Sequence, residues 1–402
     1  MSGEPRQHPW AAVVAATVLN LPLGSVYAFS VFLKPIEQEL GIPRSALSFV
    51  FGMATIGFTI GSVMAPLCYR LAPAPILTLL CAFAAAFGIF LAATAHGLIQ
   101  LLIGYGVVFG IGGGAAYIVL QQGVNLLVNT RKGLVNGYLV GLYPAGAMVA
   151  APVFNWTNEH FGYRWTMAGL AVTLLVAGLI AVLLSWYAGT RLTARQIGMG
   201  GTPVAGRNAI FARLWLVFFL AAAAGLTVLS QAKEIVVVYG GSTAMALAAT
   251  TAITGAIACA RVSGGFLVDR FPIPFVSGAA HVLALSGTVL LTLWPTPAMA
   301  AFALGMIGVG YGFVSGSTAG GIAFYWPPAD YGKIAGRIYV AWCIAAISLP
   351  VLAGHLYDLT HGYAATMIIA GVGNLLGIIV AIGLPRHAPR PGMDIRTSSG
   401  GR

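Results

Sequence analysis

Arg261 stands in a segment, Thr250 to Gly265, that carries no other charge. A guanidinium keeps its proton in any protein environment, so this position holds a permanent cation. Burying it in hydrocarbon costs on the order of 3 kcal/mol by insertion scales, which marks an intramembrane arginine as a functional residue by default. The chemistry it offers is anion binding, and its planar fork matches a carboxylate through two parallel hydrogen bonds. Arg261 lies eight residues before Asp269, about 12 Å along a helix from that boundary and near mid-membrane. A side chain snorkelling to the inner interface is the alternative, strained at that reach. The nine acids (Glu4, Glu37, Glu39, Glu159, Glu234, Asp269, Asp330, Asp358 and Asp394) all fall outside the middle of an apolar segment, which leaves the cation to an external anion.

A second set of residues could shape a small box. Gly24, Tyr27 and Phe29 share one apolar segment. A glycine-rich run from Gly104 to Gly114 leads to Tyr117 and the pair Gln121-Gln122. Tyr143 follows Arg131-Lys132-Gly133, and Tyr339 and Trp342 lie late in the chain. Glycines let helices approach closely, and tyrosine adds an apolar wall with one polar tip. Singly, each ring also reads as packing or lipid-facing filler. For proton coupling the candidates are His355, Lys233 and Glu234, with His281 a weaker one. Lys233-Glu234 also reads as a plain interfacial pair, because Lys34 and Glu37 hold the equivalent place 200 residues earlier. No catalytic residues, metal cluster or cofactor site is expected: paired carboxylates are missing, and the Gly110–Gly114 run has no Gly-Lys-Ser/Thr after it.

The elements that must position these residues are membrane spans. The chain has 402 residues, 59% hydrophobic and 7% charged, against roughly 25% charged in soluble domains. Mean hydropathy is +0.90. Apolar runs of span length recur at 11–33, 46–69, 75–95, 98–122, 134–156, 165–187, 212–236, 244–267, 275–294, 297–321, 335–357 and 364–385. The expected fold is therefore an all-α membrane protein with twelve transmembrane helices; the runs are too long and continuous for a porin-like barrel. The first run is read as a span and not as a cleaved signal. Outer segments hold only Lys34, Arg44, Arg164 and Lys233 of the lysines and arginines, and the remainder apart from Arg261 fall on the other side. That bias puts both termini in the cytoplasm of an inner (plasma) membrane and makes the net charge of +11 topogenic, with no nucleic-acid partner. Cys68, Cys81, Cys259 and Cys343 lie in apolar runs and read as small buried residues.

The chain also repeats itself at an offset of 200. Gly162-Tyr163 with Thr166-Met167 matches Gly362-Tyr363 with Thr366-Met367; Gly110 and Gly112 match Gly310 and Gly312; Tyr69-Arg70 matches Asp269-Arg270. Six spans per half give a parallel repeat. The expected organisation is a bundle at 1–187, a polar, glycine-rich cytoplasmic linker at 188–211, a second bundle at 212–385 and a cytoplasmic tail at 386–402. Bundles joined in this way can rock about a site at their interface, which is alternating access.

These features resemble the major facilitator superfamily over essentially the whole chain. The superfamily's loop motif, G-x-x-x-D-R-x-G-R, is similar to Gly265, Asp269 and Arg270, read as gating residues; the first-half copy has Tyr69 in place of the acid. Within the superfamily the set resembles the oxalate/formate antiporter and monocarboxylate transporter branch, through Gly24, Tyr27 and Phe29, then Tyr117, Tyr143 and Arg261. The resemblance implies a substrate site of Arg261, Tyr27, Tyr117, Gln121, Tyr143, Phe313, Tyr339 and Trp342. Dicarboxylate members supply a second cation where Trp342 stands here. A second carboxylate would then face no cation, at a cost of several kcal/mol. The expectation is a monomeric secondary carrier of a small monocarboxylate (lactate, pyruvate or acetate in scale), coupled to a proton. The alternatives are carboxylate exchange against a counter-anion, a non-carboxylate anion carrier, and a non-transporting membrane assembly protein of the same fold.

Overall fold

The computed structural model describes residues 7–69, 71–192 and 207–387. Arg70, most of the expected linker and nearly all of the expected tail lie outside the described residues. Among the described residues the chain is helical, with twelve helices long and apolar enough to cross a membrane. They are α1 (Pro9–Ala28), α2 (Arg44–Cys68), α3 (Ala74–Ala93), α4 (Leu98–Leu127), α5 (Lys132–Phe161), α6 (Tyr163–Tyr187), α7 (Arg207–Val238), α8 (Thr243–Val268), α9 (Ile273–Leu293), α10 (Pro297–Tyr325), α11 (Pro328–Thr360) and α12 (Ala364–Ile382). The expected count of twelve spans is met. A short helix, Ser30–Leu40, extends beyond α1. Exposed large apolar side chains such as Phe83, Val172, Leu183 and Ile379 suit lipid contact, and exposed Trp10, Trp165, Trp186 and Trp294 sit at helix ends, as an aromatic belt requires.

The helices sort into two compact units that exchange pieces of chain. The first contains α1–α4, α5 from Leu139 onward, α6, and Tyr331–Cys343 of α11. The second contains Arg131–Tyr138, α7–α10, α11 from Ile344 onward, and α12. Shortly after that division α11 breaks, at Ser348 (φ −98°, ψ −89°), ahead of Pro350.

Glycine decides the tight crossings inside the first unit. A Cβ at Gly61 would lie 2.1 Å from the Ile111 carbonyl, and one at Gly114 would lie 1.9 Å from that of Phe58, so α2 and α4 touch backbone to backbone. In α1, Pro22 cannot donate to the helix ladder, and the chain tightens to a 3₁₀ turn over Gly24–Ala28. There a Cβ at Gly24 would meet the Tyr143 carbonyl at 2.4 Å. In α4, Leu102–Phe109 is wound as a π-helix, a widening frequent near functional sites.

Arg164 ties the unit at one end. It donates to Glu39 at 2.6 Å and to the carbonyls of Ala93 and Ala95 at 2.9 and 2.7 Å. The second unit has a buried polar node instead: His281 hydrogen-bonds Asn374 Oδ1 at 2.9 Å and the Val217 carbonyl at 3.2 Å, joining α9, α12 and α7. All four cysteines are free thiols. Cys343 is buried, but Cys259 is exposed, against expectation: it sits on the outward face of α8, where a small apolar residue meets lipid as readily as protein.

Candidate functional site

Arg261 is 3% exposed, in the second unit, two turns before the C-terminal end of α8. Its Nη2 donates to the Tyr311 hydroxyl at 2.9 Å, and its Cζ lies 5.2 Å from the same ring's centre. Such a contact holds the charge in place without neutralising it. Three close approaches fix the pair. A Cβ at Gly225 of α7 would strike the Tyr311 ring at 2.3 Å; one at Gly316 of α10 would lie 1.9 Å from the Arg261 carbonyl; one at Gly137 of α5 would lie 2.6 Å from it. Sequence reasoning passed over Tyr311. The visible signal was its placement between Gly310 and Gly312, which the repeat had already singled out.

Five of the expected site residues meet in one ring cluster of the first unit. Tyr117 contacts Tyr143 at a centroid distance of 5.0 Å and Tyr339 at 5.5 Å, with the Tyr117 and Tyr339 hydroxyls 3.3 Å apart. Tyr27 meets Tyr143 at 6.3 Å and Trp342 at 6.1 Å. Phe58, which sequence reasoning missed, joins them: it lies 5.5, 5.6 and 5.8 Å from Tyr117, Tyr143 and Trp342. Its signal was the glycine spacing of α2, Gly57 and Gly61, which presses that helix onto α4.

The cluster has polar tips without protein partners. The Tyr143 hydroxyl and the Trp342 Nε1 are buried and make no hydrogen bond. Gln121, one turn beyond Tyr117, is fully buried with both amide atoms unpaired, and so is Asn20, one turn before Gly24. A buried polar atom left unpaired costs roughly 1–3 kcal/mol, so a concentration of them in one region calls for a ligand or water. Phe313 belongs to the second unit, where it is half-buried and its backbone packs against Gly264.

The coupling candidates are all near the surface. His355 is exposed, and Lys233 and Glu234 form a 3.9 Å ion pair with both side chains about half exposed. The gating motif has a defined partner. Asp269 accepts from the backbone N–H of Gly133 and of Leu134, both at 2.8 Å, and so caps the start of α5 with a carboxylate. Glycines allow that approach, since a Cβ at Gly265 would meet the Gly133 carbonyl at 2.2 Å. Arg270 lies over the Phe266 ring at 4.3 Å. In the first half, burial and the nearby Cys81 and Cys68 hold the Tyr69 phenol well above its usual titration range, so it supplies no anion there.

Comparison with known proteins agrees with this architecture. The family model of the Major Facilitator Superfamily matches residues 15–347. An uncharacterized MFS-type transporter of Escherichia coli K12, YhjX, is 25% identical over 306 residues, covering 73% of this chain and 74% of its own. Monocarboxylate transporter 13 of Bos taurus is 26% identical over 401 residues, covering 94% and 89%. Among solved structures, the proton:xylose symporter XylE superposes with a TM-score of 0.72 at 15% identity, covering 92% of this chain and 94% of that one, a likeness of fold alone. Twelve spans, a motif-bearing turn after α8 and a match over most of its length place this chain in the Major Facilitator Superfamily, as a multi-pass membrane transporter and not an enzyme.

Proposed function

We propose that the protein is a secondary carrier of a small organic monocarboxylate, working by alternating access and coupled to protons. The observation that carries this reading is Arg261, a permanent cation buried inside a membrane-spanning helix and braced by a neutral phenol. Every Asp or Glu that falls within a span lies close to its end: Glu159, Glu234, Asp330 and Asp358. In this reading the carboxylate of the cargo binds the Arg261 fork. Tyr27, Tyr117, Tyr143, Tyr339 and Trp342 bind its small body, with Phe58 behind them. Gln121 and the tips of Tyr143 and Trp342 hydrogen-bond its polar atoms. Phe313 is assigned a flanking apolar contact. The Asp269 cap on α5, with Gly265 and Arg270, serves as a latch that is made and broken in the transport cycle. The name of the bovine relative supports the substrate class.

Charge sets the substrate. One guanidinium balances one carboxylate, and Trp342 brings an indole where a second cation would be needed for a dicarboxylate. The membrane potential, negative inside, opposes uptake of a lone anion, so a proton or a counter-anion has to move with the cargo. The exposure of His355, Lys233 and Glu234 favours a second reading, carboxylate exchange, because none of the three is a buried proton carrier. The test is tracer uptake into proteoliposomes. Lactate uptake driven by an acidic exterior supports symport, and uptake that ignores the gradient but needs a preloaded internal anion supports exchange. Uptake of oxalate in preference to lactate, acetate and pyruvate would refute the monocarboxylate assignment.

A further inference from the structure

The repeat makes the same helix crossing twice. A Cβ at Gly137 of α5 would lie 2.6 Å from the Arg261 carbonyl of α8, and a Cβ at Gly336 of α11 would lie 2.4 Å from the Ser62 carbonyl of α2. With the offset of 200, these are the same contact within one residue. In the first crossing Asp269 caps the α5 amides. In the second the position equivalent to Asp269 is Tyr69, whose hydroxyl donates to the Ile118 carbonyl at 3.4 Å. The α11 amide is nevertheless capped. Gly332 N–H donates to Gln122 Oε1 at 2.6 Å, with Gln122 1% exposed. Gly332 has no room for a side chain, because a Cβ there would lie 2.5 Å from the Tyr69 hydroxyl and 3.1 Å from Gln122 Oε1.

We infer that Gln122 is the first half's neutral substitute for the missing acid: a positioning residue that holds the start of α11 by its Gly332 amide. The consequence reaches the ring cluster. Tyr339 and Trp342 lie seven and ten residues beyond Gly332 on the same helix. The amide that fixes the start of α11 therefore fixes where those two rings stand against Tyr117, Tyr27 and Phe58. An amide does not titrate and carries no net charge, so this latch is indifferent to pH and only weakly sensitive to salt. The inference rests on superfamily membership and not on the carboxylate assignment.

Cys343 of α11 is buried and reports on that helix. The experiment is N-ethylmaleimide alkylation of Cys343 in the purified full chain, followed by peptide mass spectrometry. Gln122→Met removes the acceptor at nearly constant volume, and its Cys343 should alkylate about 3–10-fold faster, the population shift expected for one lost neutral hydrogen bond. Gln122→Glu keeps an acceptor and should stay within about twofold of the wild-type rate. Adding Tyr69→Asp to Gln122→Met should restore slow alkylation, which general loosening of the fold would not allow. An unchanged rate in Gln122→Met, or no restoration by Tyr69→Asp, overturns the inference. If Gln122→Met does not accumulate as folded protein, Tyr69→Asp alone decides: a second acceptor at the same amide should slow Cys343 alkylation, and an unchanged rate overturns the inference.

Discussion

Arg261 donates to the Tyr311 hydroxyl at 2.9 Å and lies over the same ring, so one aromatic side chain engages the guanidinium through both its hydroxyl and its face. The hydrogen bond holds the fork at a fixed angle, and the ring face adds attraction that a low-dielectric site strengthens.

The first prediction follows from that pair. Tyr311→Phe keeps the ring and removes the hydroxyl, so the charge stays and its orientation loosens. The Michaelis constant for substrate should rise about 3–10-fold, the equivalent of roughly 1 kcal/mol of lost positioning of the fork, with little change in protein yield. Uptake kinetics in proteoliposomes check this; an unchanged Michaelis constant would mean that Tyr311 does not position Arg261.

The second concerns the unpaired Tyr143 hydroxyl. Tyr143→Phe removes a buried polar atom that has no protein partner. The substrate-free protein should melt at the same temperature or higher, while affinity for substrate falls. Thermal unfolding in detergent with and without substrate separates the two effects. A lowered melting temperature without substrate would show that the hydroxyl has a structural bond instead.

The third tests the charge argument. Trp342→Lys places a second cation in the ring cluster. Oxalate uptake should appear or rise relative to lactate, since a second carboxylate then has a partner. Competition of both acids against labelled lactate is the measurement, and a variant that keeps the wild-type preference would contradict the role given to position 342.

The fourth concerns close packing at the latch. Gly265→Ala introduces a Cβ 2.2 Å from the Gly133 carbonyl and pushes α5 off the Asp269 carboxylate. Transport should fall at least tenfold, because backbone must move to relieve the overlap. Asp269→Asn keeps one acceptor and should cost less. Equal losses in both variants would indicate that charge, and not approach, controls the latch.

Much of this was legible in the sequence for identifiable reasons. Spans announce themselves because unpaired backbone cannot face lipid, so each crossing needs a long apolar helix. Arg261 was legible because a permanent cation in such a helix is too costly to persist without a role. The ring cluster was legible as a candidate box, but the particular contacts among Tyr27, Tyr117, Tyr143, Tyr339 and Trp342 depend on which face each helix turns inward. Phe58 and Tyr311 were missed because an aromatic among apolar residues looks the same whether it faces lipid or a partner. The cap on Gly332 was hidden by the degenerate motif. Tyr69 marked a missing acid, but its replacement, Gln122, comes from another helix. Lys233-Glu234 and His355 show the opposite case, since titratable residues inside apolar runs drew notice although each lies near a surface.

The most direct test is uptake of radiolabelled lactate by proteoliposomes containing wild-type protein or Arg261→Ala, with an acidic exterior, after confirming equal incorporation and equal melting temperature. Saturable uptake is expected of the wild type, with a fall to the level of empty liposomes in the variant. Wild-type uptake that survives the loss of Arg261 would contradict this expectation.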